Sequence, residues 1–164
     1  MMVMEITLLP KLAGFQIKGK EATVTITNGS ESKVTVDDFV IWNAGEYETK
    51  GVRVYGYPFK KETIYLIQMD DVNIAYLNGL TESLPKELND ELGTVDILMI
   101  KASENAEDIV SDVEPNIVLP FGDEAKVAKF AKDFGEELVE KTAKLKVTTF
   151  DSEDEETRVV ILGS

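Results

Sequence analysis

Histidine and cysteine, the side chains best suited to bind transition metals, move protons near neutral pH or attack as thiolates, are both absent from this 164-residue chain. Cys–His and Ser–His–Asp nucleophilic machinery is thereby excluded. Carboxylates remain. Glu46 and Glu48 flank Tyr47 in a Gly-Glu-Tyr-Glu turn, and period-two alternation places both on one strand face. Paired acid/base work needs two placed carboxyls, but a solvated strand edge carries the same pattern. Asp37–Asp38, Asp70–Asp71 and the acidic run at 151–156 are oxygen-rich, as a hard cation requires. None has the glycine-centred spacing of a calcium loop, and turns explain them. Trp42, the single tryptophan, lies close in sequence to Tyr47, Tyr55 and Tyr57, a set that either lines a ligand groove or forms the core and rim of a sheet. Ser30, Ser32, Ser83, Ser103 and Ser111 fall in turns or near helix ends, where capping is the usual role. No glycine-rich or Walker sequence offers a phosphate cradle.

The elements that would position these groups are legible in two rhythms. Up to about residue 78 the chain is written in short β-branched and aromatic runs punctuated by Gly, Pro, Asn or Asp. Residues 22–27 alternate, with Ala22, Val24 and Ile26 on one face and threonines on the other, the habit of an antiparallel sheet with one wet side. Met69 to Asn73 reads as a tight turn with Asp70 and Asp71 at its tip. The last third changes. Residues 95–102 and 115–122 are nearly continuous apolar runs, as strands buried on both faces would be. Between them, a helix is predicted with Ser103 as N-cap and Ile109, Val110 and Val113 on its apolar stripe. A second amphipathic helix follows, with Val127, Phe130, Ala131 and Phe134 at helical spacing and Gly135 closing it. Strands at about 144–150 and 157–163 complete one α+β domain over 1–164, mixed β-sheets flanked by a few helices joined through crossover connections.

Composition bounds the function classes. Hydrophobic residues make up 43% and charged residues 29%, so the chain can build an ordinary core. The net charge is −14; such a surface repels phosphate backbones and anionic lipid, making nucleic acid and membrane poor partners. No apolar run approaches the roughly 20 residues of a bilayer span, and the N-terminal stretch has no basic segment before an apolar core. A cytoplasmic location is the resulting expectation.

Residues 37–56, Asp-Asp-Phe-Val-Ile-Trp-Asn-Ala-Gly-Glu-Tyr-Glu-Thr-Lys-Gly-Val-Arg-Val-Tyr-Gly, together with the runs 6–26, 63–80, 92–100, 114–123 and 155–162 in that order, resemble the metallo-β-lactamase superfamily, in its small hydrolase-like branch. The resemblance covers nearly the whole chain. It implies a fold that holds zinc or iron through a His-x-His-x-Asp-His loop, further histidines and a bridging Asp, and uses the metal to generate a hydroxide nucleophile. Every one of those ligands is missing here. Only a short connection separates residues 22–29 from Asp37, where the family carries several dozen residues including the histidine loop. Gly79 stands where the bridging Asp is due, and Pro120-Phe121-Gly122 where Pro-x-His is due; glycine supplies no side-chain donor.

What the resemblance implies is therefore a metal-free, non-catalytic relative with no metal or cofactor site, acting as a structural or interaction module. A hydrolase with an unconventional carboxylate site and a small-molecule binder using the emptied cleft are the alternatives. Loss of the family's covering segment should also leave apolar sheet surface exposed. A two-fold homodimer, or another protein partner, is the expected solution, with Val34 and Val36 in the contact.

Overall fold

Strict alternation of apolar and polar residues builds one sheet of this protein, and continuous apolar runs build the other. The structure is a computed structural model and describes residues 4–9, 14–27, 32–78, 82–135, 139–148 and 156–163. In chain order these form β1 (Met4–Leu9), β2 (Gly14–Lys18), β3 (Thr23–Thr27), β4 (Lys33–Val36), β5 (Phe39–Ile41), β6 (Gly45–Thr49), β7 (Val52–Phe59), β8 (Glu62–Met69), β9 (Val72–Leu77), α1 (Lys86–Leu92), β10 (Ile97–Lys101), α2 (Ala106–Val113), β11 (Ile117–Phe121), α3 (Glu124–Phe134), β12 (Val139–Thr142), β13 (Lys144–Val147) and β14 (Arg158–Leu162).

Two sheets stack. The first runs β13-β1-β2-β3-β4-β5 and the second β12-β14-β11-β10-β9-β8-β7-β6. All pairs from β1 through β9 are antiparallel, as the alternating runs predicted. From β9 onward the second sheet is parallel through β10, β11 and β14, with the helices as crossovers. The Asp70–Asp71 turn takes the expected form: both residues have positive φ (52° and 63°), which suits Asp in a two-residue hairpin. The layers follow from which faces are apolar. The inner faces of both sheets make one buried cluster, including Ile6, Ile17, Val24, Ile26, Ile67 and Ile74, and no helix contributes to it. The outer face of the second sheet makes another, where Leu66, Ala75, Leu98 and Val118 meet Ile109 of α2 and Phe130 of α3. β10 and β11 are thus buried on both sides, which is why their sequences lack polar alternation.

Three local expectations are corrected. Ser103 does not cap α2: the N-cap position is Asn105, in αR conformation, and the Ser103 carbonyl accepts the Ala106 N–H at 3.3 Å. Gly45 to Glu48 lie in strand β6 rather than a turn; the chain leaves the first sheet after Ile41 and enters the second at Gly45. Helix α1 and strand β12 were not anticipated. α1 buries only Leu92, and β12 (Val-Glu-Lys-Thr) has no buried residue, so neither leaves a periodic signal.

The larger correction concerns the expected bare apolar face. Val34 and Val36 point into the sandwich and are 0% and 1% exposed. The outer face of the first sheet is polar, with Thr7, Gln16, Thr25 and Thr35 side by side in register across β1 to β4. Among the described residues the large apolar groups there are Leu9 of β1 and, at the β5 edge, Val40 and Trp42. Threonine suits a half-buried pleated surface while keeping its hydroxyl in water, so the sheet needs no apolar cover. Val34→Asp therefore places a charge in the core and is expected to cost at least about 3 kcal/mol in urea unfolding, rather than to split a dimer.

At one end of the sandwich, polar groups fasten the turns. Asp70 Oδ2 accepts the Lys20 N–H at 2.8 Å, and Asp37 accepts the Thr23 N–H at 2.9 Å and Lys50 Nζ at 2.8 Å. Glycine at 19 leaves the Asp70 carboxylate free to hold this bond, since a Cβ there would sit 2.5 Å from Asp70 Oδ2 and displace it. Half-buried Asp96 accepts the Asn73 N–H at 2.8 Å through Oδ2, while its carbonyl accepts the N–H groups of Asn116 and Ile117 at 3.0 Å, joining the starts of β9, β10 and β11. Burial holds the Asp96 carboxyl above its ordinary value, with the Asn73 bond opposing. A carboxyl with a raised folded-state pKa contributes its stability below the unfolded value and loses it as pH climbs through the folded value. Unfolding free energies of wild type and Asp96→Asn measured from about pH 3.5 to 7 are therefore expected to show wild type losing ground relative to the variant as pH rises, then running parallel to it.

Candidate functional site

In open sheets with parallel strands, ligands are bound beyond the carboxyl ends of those strands. Here that end lies after β9, β10 and β11, at Asn78, Ala102 and Gly122. The sandwich interior beneath it is filled by aromatic rings. Phe121 stacks on Tyr76 at 5.5 Å with planes 7° apart, and meets Phe15 edge-on at 5.4 Å. Tyr65 stands beside Tyr76 in register between β8 and β9. All four rings are 5% exposed or less. β-strand periodicity explains the convergence: each occupies an inward position of its strand, at the same level of the sandwich.

A small polar network closes this end. The Tyr65 hydroxyl donates to the Trp42 carbonyl at 3.3 Å and lies 3.4 Å from the Ser32 carbonyl. Asn78 Nδ2 donates to Ser32 Oγ at 3.2 Å. Ser32 is the one buried polar residue among those described. The Tyr76 hydroxyl, also fully buried, has no hydrogen-bond partner among the described residues. Burial pushes its ionisation far up; Ser32 is near enough to oppose this but lies outside bonding geometry. The sequence had offered Ser32 only as a turn serine, and Tyr65 and Tyr76 only as strand residues. Nothing in their spacing signals that residues more than thirty apart meet.

The residues singled out by sequence do not assemble into one site. Asp37 and Asp70 serve the turns at the opposite end of the sandwich, before β9 rather than after it. The Lys50 ammonium, ahead of the Thr23 N–H, holds the Asp37 carboxyl below its ordinary value. Glu46 and Glu48 do share an exposed face, as alternation predicted. They border a shallow open depression of about 330 Å³ with Tyr47, Arg53 and Tyr55, and Glu48 pairs with Arg53 at 3.4 Å. The aromatics point three ways. Trp42 lies on the outer face of the first sheet with Lys33 Nζ 5.2 Å over its ring. Tyr47 packs towards the sandwich interior, 6.5 Å from Phe39. Tyr55 and Tyr57 stack at 6.4 Å on the outer face of the second sheet. No single groove holds all four. Gly79, Ser30 and residues 151–155 of the acidic run lie outside the described residues.

This architecture has known counterparts. A profile of the family described as the beta-lactamase superfamily domain matches residues 14–122, well over half of the sequence. The chain belongs to the metallo-β-lactamase superfamily. A crystal structure from Thermotoga maritima, described as that of a proposed Zn-dependent hydrolase of this superfamily, shares the fold with a TM-score of 0.72 at 15% identity. The match covers 97% of this chain and 98% of that one. The compact size is therefore common to both. No curated protein matches.

The metal implied by that family does not fit the donors present. Zinc and iron sites of this kind are built on imidazole, and the chain has neither histidine nor cysteine. Among the described residues no three Asp or Glu side chains converge closely enough to hold a cation. Gly122 ends β11 with φ 111° and offers no ligand, while Phe121 before it is committed to the aromatic stack. An orphan buried hydroxyl costs about 1–3 kcal/mol, and removing it with the ring kept relieves that cost. Tyr76→Phe is accordingly expected to leave the urea midpoint unchanged or raise it. A loss beyond about 1 kcal/mol would show that the hydroxyl is paired.

Proposed function

We propose that this chain is a superfamily member without metal-dependent hydrolysis, serving as a structural or protein-interaction module. One observation carries the reading: the imidazole and thiolate donors on which zinc and iron hydroxide centres of this kind are built are missing from the whole sequence. Two further features support it. The interior beneath the strand ends is packed with Phe15, Tyr65, Tyr76 and Phe121, which leaves little room for a substrate. The paired carboxylates Glu46 and Glu48 stand on an open, solvated edge, with one of them engaged by Arg53. A general acid or base works best where water is excluded and a neighbour fixes its proton, and this edge supplies neither.

The work of such a module is done at its surface, in a compartment we take to be the cytoplasm. Among the described residues no helix is long and apolar enough to cross a membrane.

Activity and metal linkage test the proposal together. Protein supplied with zinc, manganese or iron is expected to turn over phosphodiester, β-lactam and thioester substrates at background rate. Its melting temperature is expected to ignore both chelator and added metal, because no binding energy is linked to folding. Saturable turnover that vanishes in Glu46→Gln or Glu48→Gln would overturn the reading.

A further inference from the structure

Charge is segregated in this molecule in a way its net value hides. The chain carries −14 overall. Yet the outer face of the six-stranded sheet presents, among the described residues, Lys18, Lys33, Lys144 and Lys146 against the single carboxylate Glu5. Register groups three of them: Lys146 and Lys18 lie on either side of Glu5, and Lys144 sits beside Thr7; Lys33 stands apart on β4, beside Thr27 at the other end of the face. Glu5 pairs with Lys144 at 3.3 Å, which leaves the other lysines without a carboxylate on their own face. The opposite surface is mixed: the helices α1 and α2 carry Glu87, Asp90, Glu91, Glu107, Asp108 and Asp112 against Lys86, while α3 carries Lys126, Lys129 and Lys132 against Glu124 and Asp133. No described element covers the lysine face, whereas the other sheet has its outer side covered by helices.

We propose that this face docks an acidic polypeptide segment from another protein, which deepens the interaction-module reading and rests on it. Charge complementarity selects the partner's sign, and three observations narrow its class. First, a second copy meeting this face about a two-fold axis would set lysines against lysines. Second, the face contains no arginine: both arginines of the chain lie on the other sheet, in β7 and β14, paired with Glu48 and Glu140. Arginine is the residue suited to bidentate phosphate recognition, whereas lysine acts as a point charge. Third, a nucleic acid extends beyond the patch and meets the acidic remainder of the molecule. A short acidic segment stays within about 8 Å of the lysines at physiological salt, where their charge is felt and the rest is screened. The threonine rows supply a flat surface of methyls and hydroxyls, and Val40 and Trp42 at the β5 edge supply apolar contact.

The size of the face sets the strength. Six strands spaced at about 4.8 Å make it roughly 24 Å wide and about 15 Å long. That is roughly half of what one partner contributes to a standard stable interface, so binding is transient and sensitive to salt.

Trp42, the only tryptophan, is 51% exposed at the edge of this face and touches Lys33, so its fluorescence reports occupancy directly. The probe is a poly-L-glutamate peptide of about 20 residues, long enough as an extended chain to cross the sheet. At about 0.05 M salt it is expected to cause a saturable change in Trp42 emission, weakened at least tenfold by about 0.3 M salt. The double variant Lys18→Glu/Lys146→Glu, with both sites exposed, is expected to bind at least about tenfold more weakly. Lys18→Arg/Lys146→Arg should retain binding, and reversal of Lys126 and Lys129 on α3 should leave it intact. Circular dichroism and melting temperature confirm that each variant folds. No salt-dependent response in wild type, or equal loss in the α3 variant, overturns the proposal. A single-stranded RNA of matched charge that binds as tightly and competes for the site would overturn it in favour of nucleic acid. A doubling of mass by light scattering that disappears in the Lys18/Lys146 variant would overturn it in favour of self-association. Metal-dependent turnover by wild type would instead defeat the module reading, whatever the peptide does.

Discussion

β9, β10 and β11 hold the protein together because they are apolar on both faces, and each face needs its own cover. One side receives the antiparallel sheet, through Ile74, Met99 and Leu119; the other receives the helices, through Ala75, Leu98 and Val118. Both covers are therefore obligatory, and burial of these strands, worth about 25 cal/mol for each Å² of apolar surface, couples the antiparallel first two-thirds of the chain to the crossovers of the last third. Asp96 and Asn116 join the starts of the three strands by hydrogen bonds, so that their far ends come out level. That level end carries Gly122, the position where the family resemblance implies a metal ligand.

In this member the interior at that end is occupied by rings. Phe121 precedes Gly122, which stands where the family resemblance implies a histidine, and it stacks against Tyr76 and Phe15 inside the sandwich. A polar metal centre needs a hydrated opening and partners for its ligands; four buried rings supply dispersion contacts instead. The unpartnered Tyr76 hydroxyl is the one discordant group, and its cost is tolerated because the ring is well packed.

Away from the strand ends, the surface carries what distinguishes this chain from a generic acidic domain. The two outer faces differ in cover: one sheet lies under helices, of which α1 and α2 are acidic, and the other is bare among the described residues, threonine-rich and lysine-bearing. Bare sheet faces are usually solvated, and threonine makes that possible here. Lys144 and Lys146 stand two residues apart on one face of β13, however, and among the described residues only Glu5 offsets the lysines within the face.

The sequence by itself determined the class of fold. Period-two alternation at 22–27, continuous apolar runs at 95–102 and 115–122, and the stripe of Val127, Phe130 and Ala131 each reflect burial, and burial acts residue by residue along the chain. It also determined which metal donors are lacking, since composition alone removes imidazole and thiolate. What it left open were contacts between distant residues. Alternation places Val34 and Val36 on one side of a strand, but only the stacking of sheets decides that this side is the interior, and so the expected apolar patch does not exist. Helix α1 and strand β12 were invisible because too few of their residues are buried to impose a period. The meeting of Ser32, Tyr65, Tyr76 and Phe121, and the gathering of Lys18, Lys33, Lys144 and Lys146 on one face, depend on strand order and register. Pairings between strands far apart in sequence are set by the summed burial of whole faces, and no local run of residues encodes that sum.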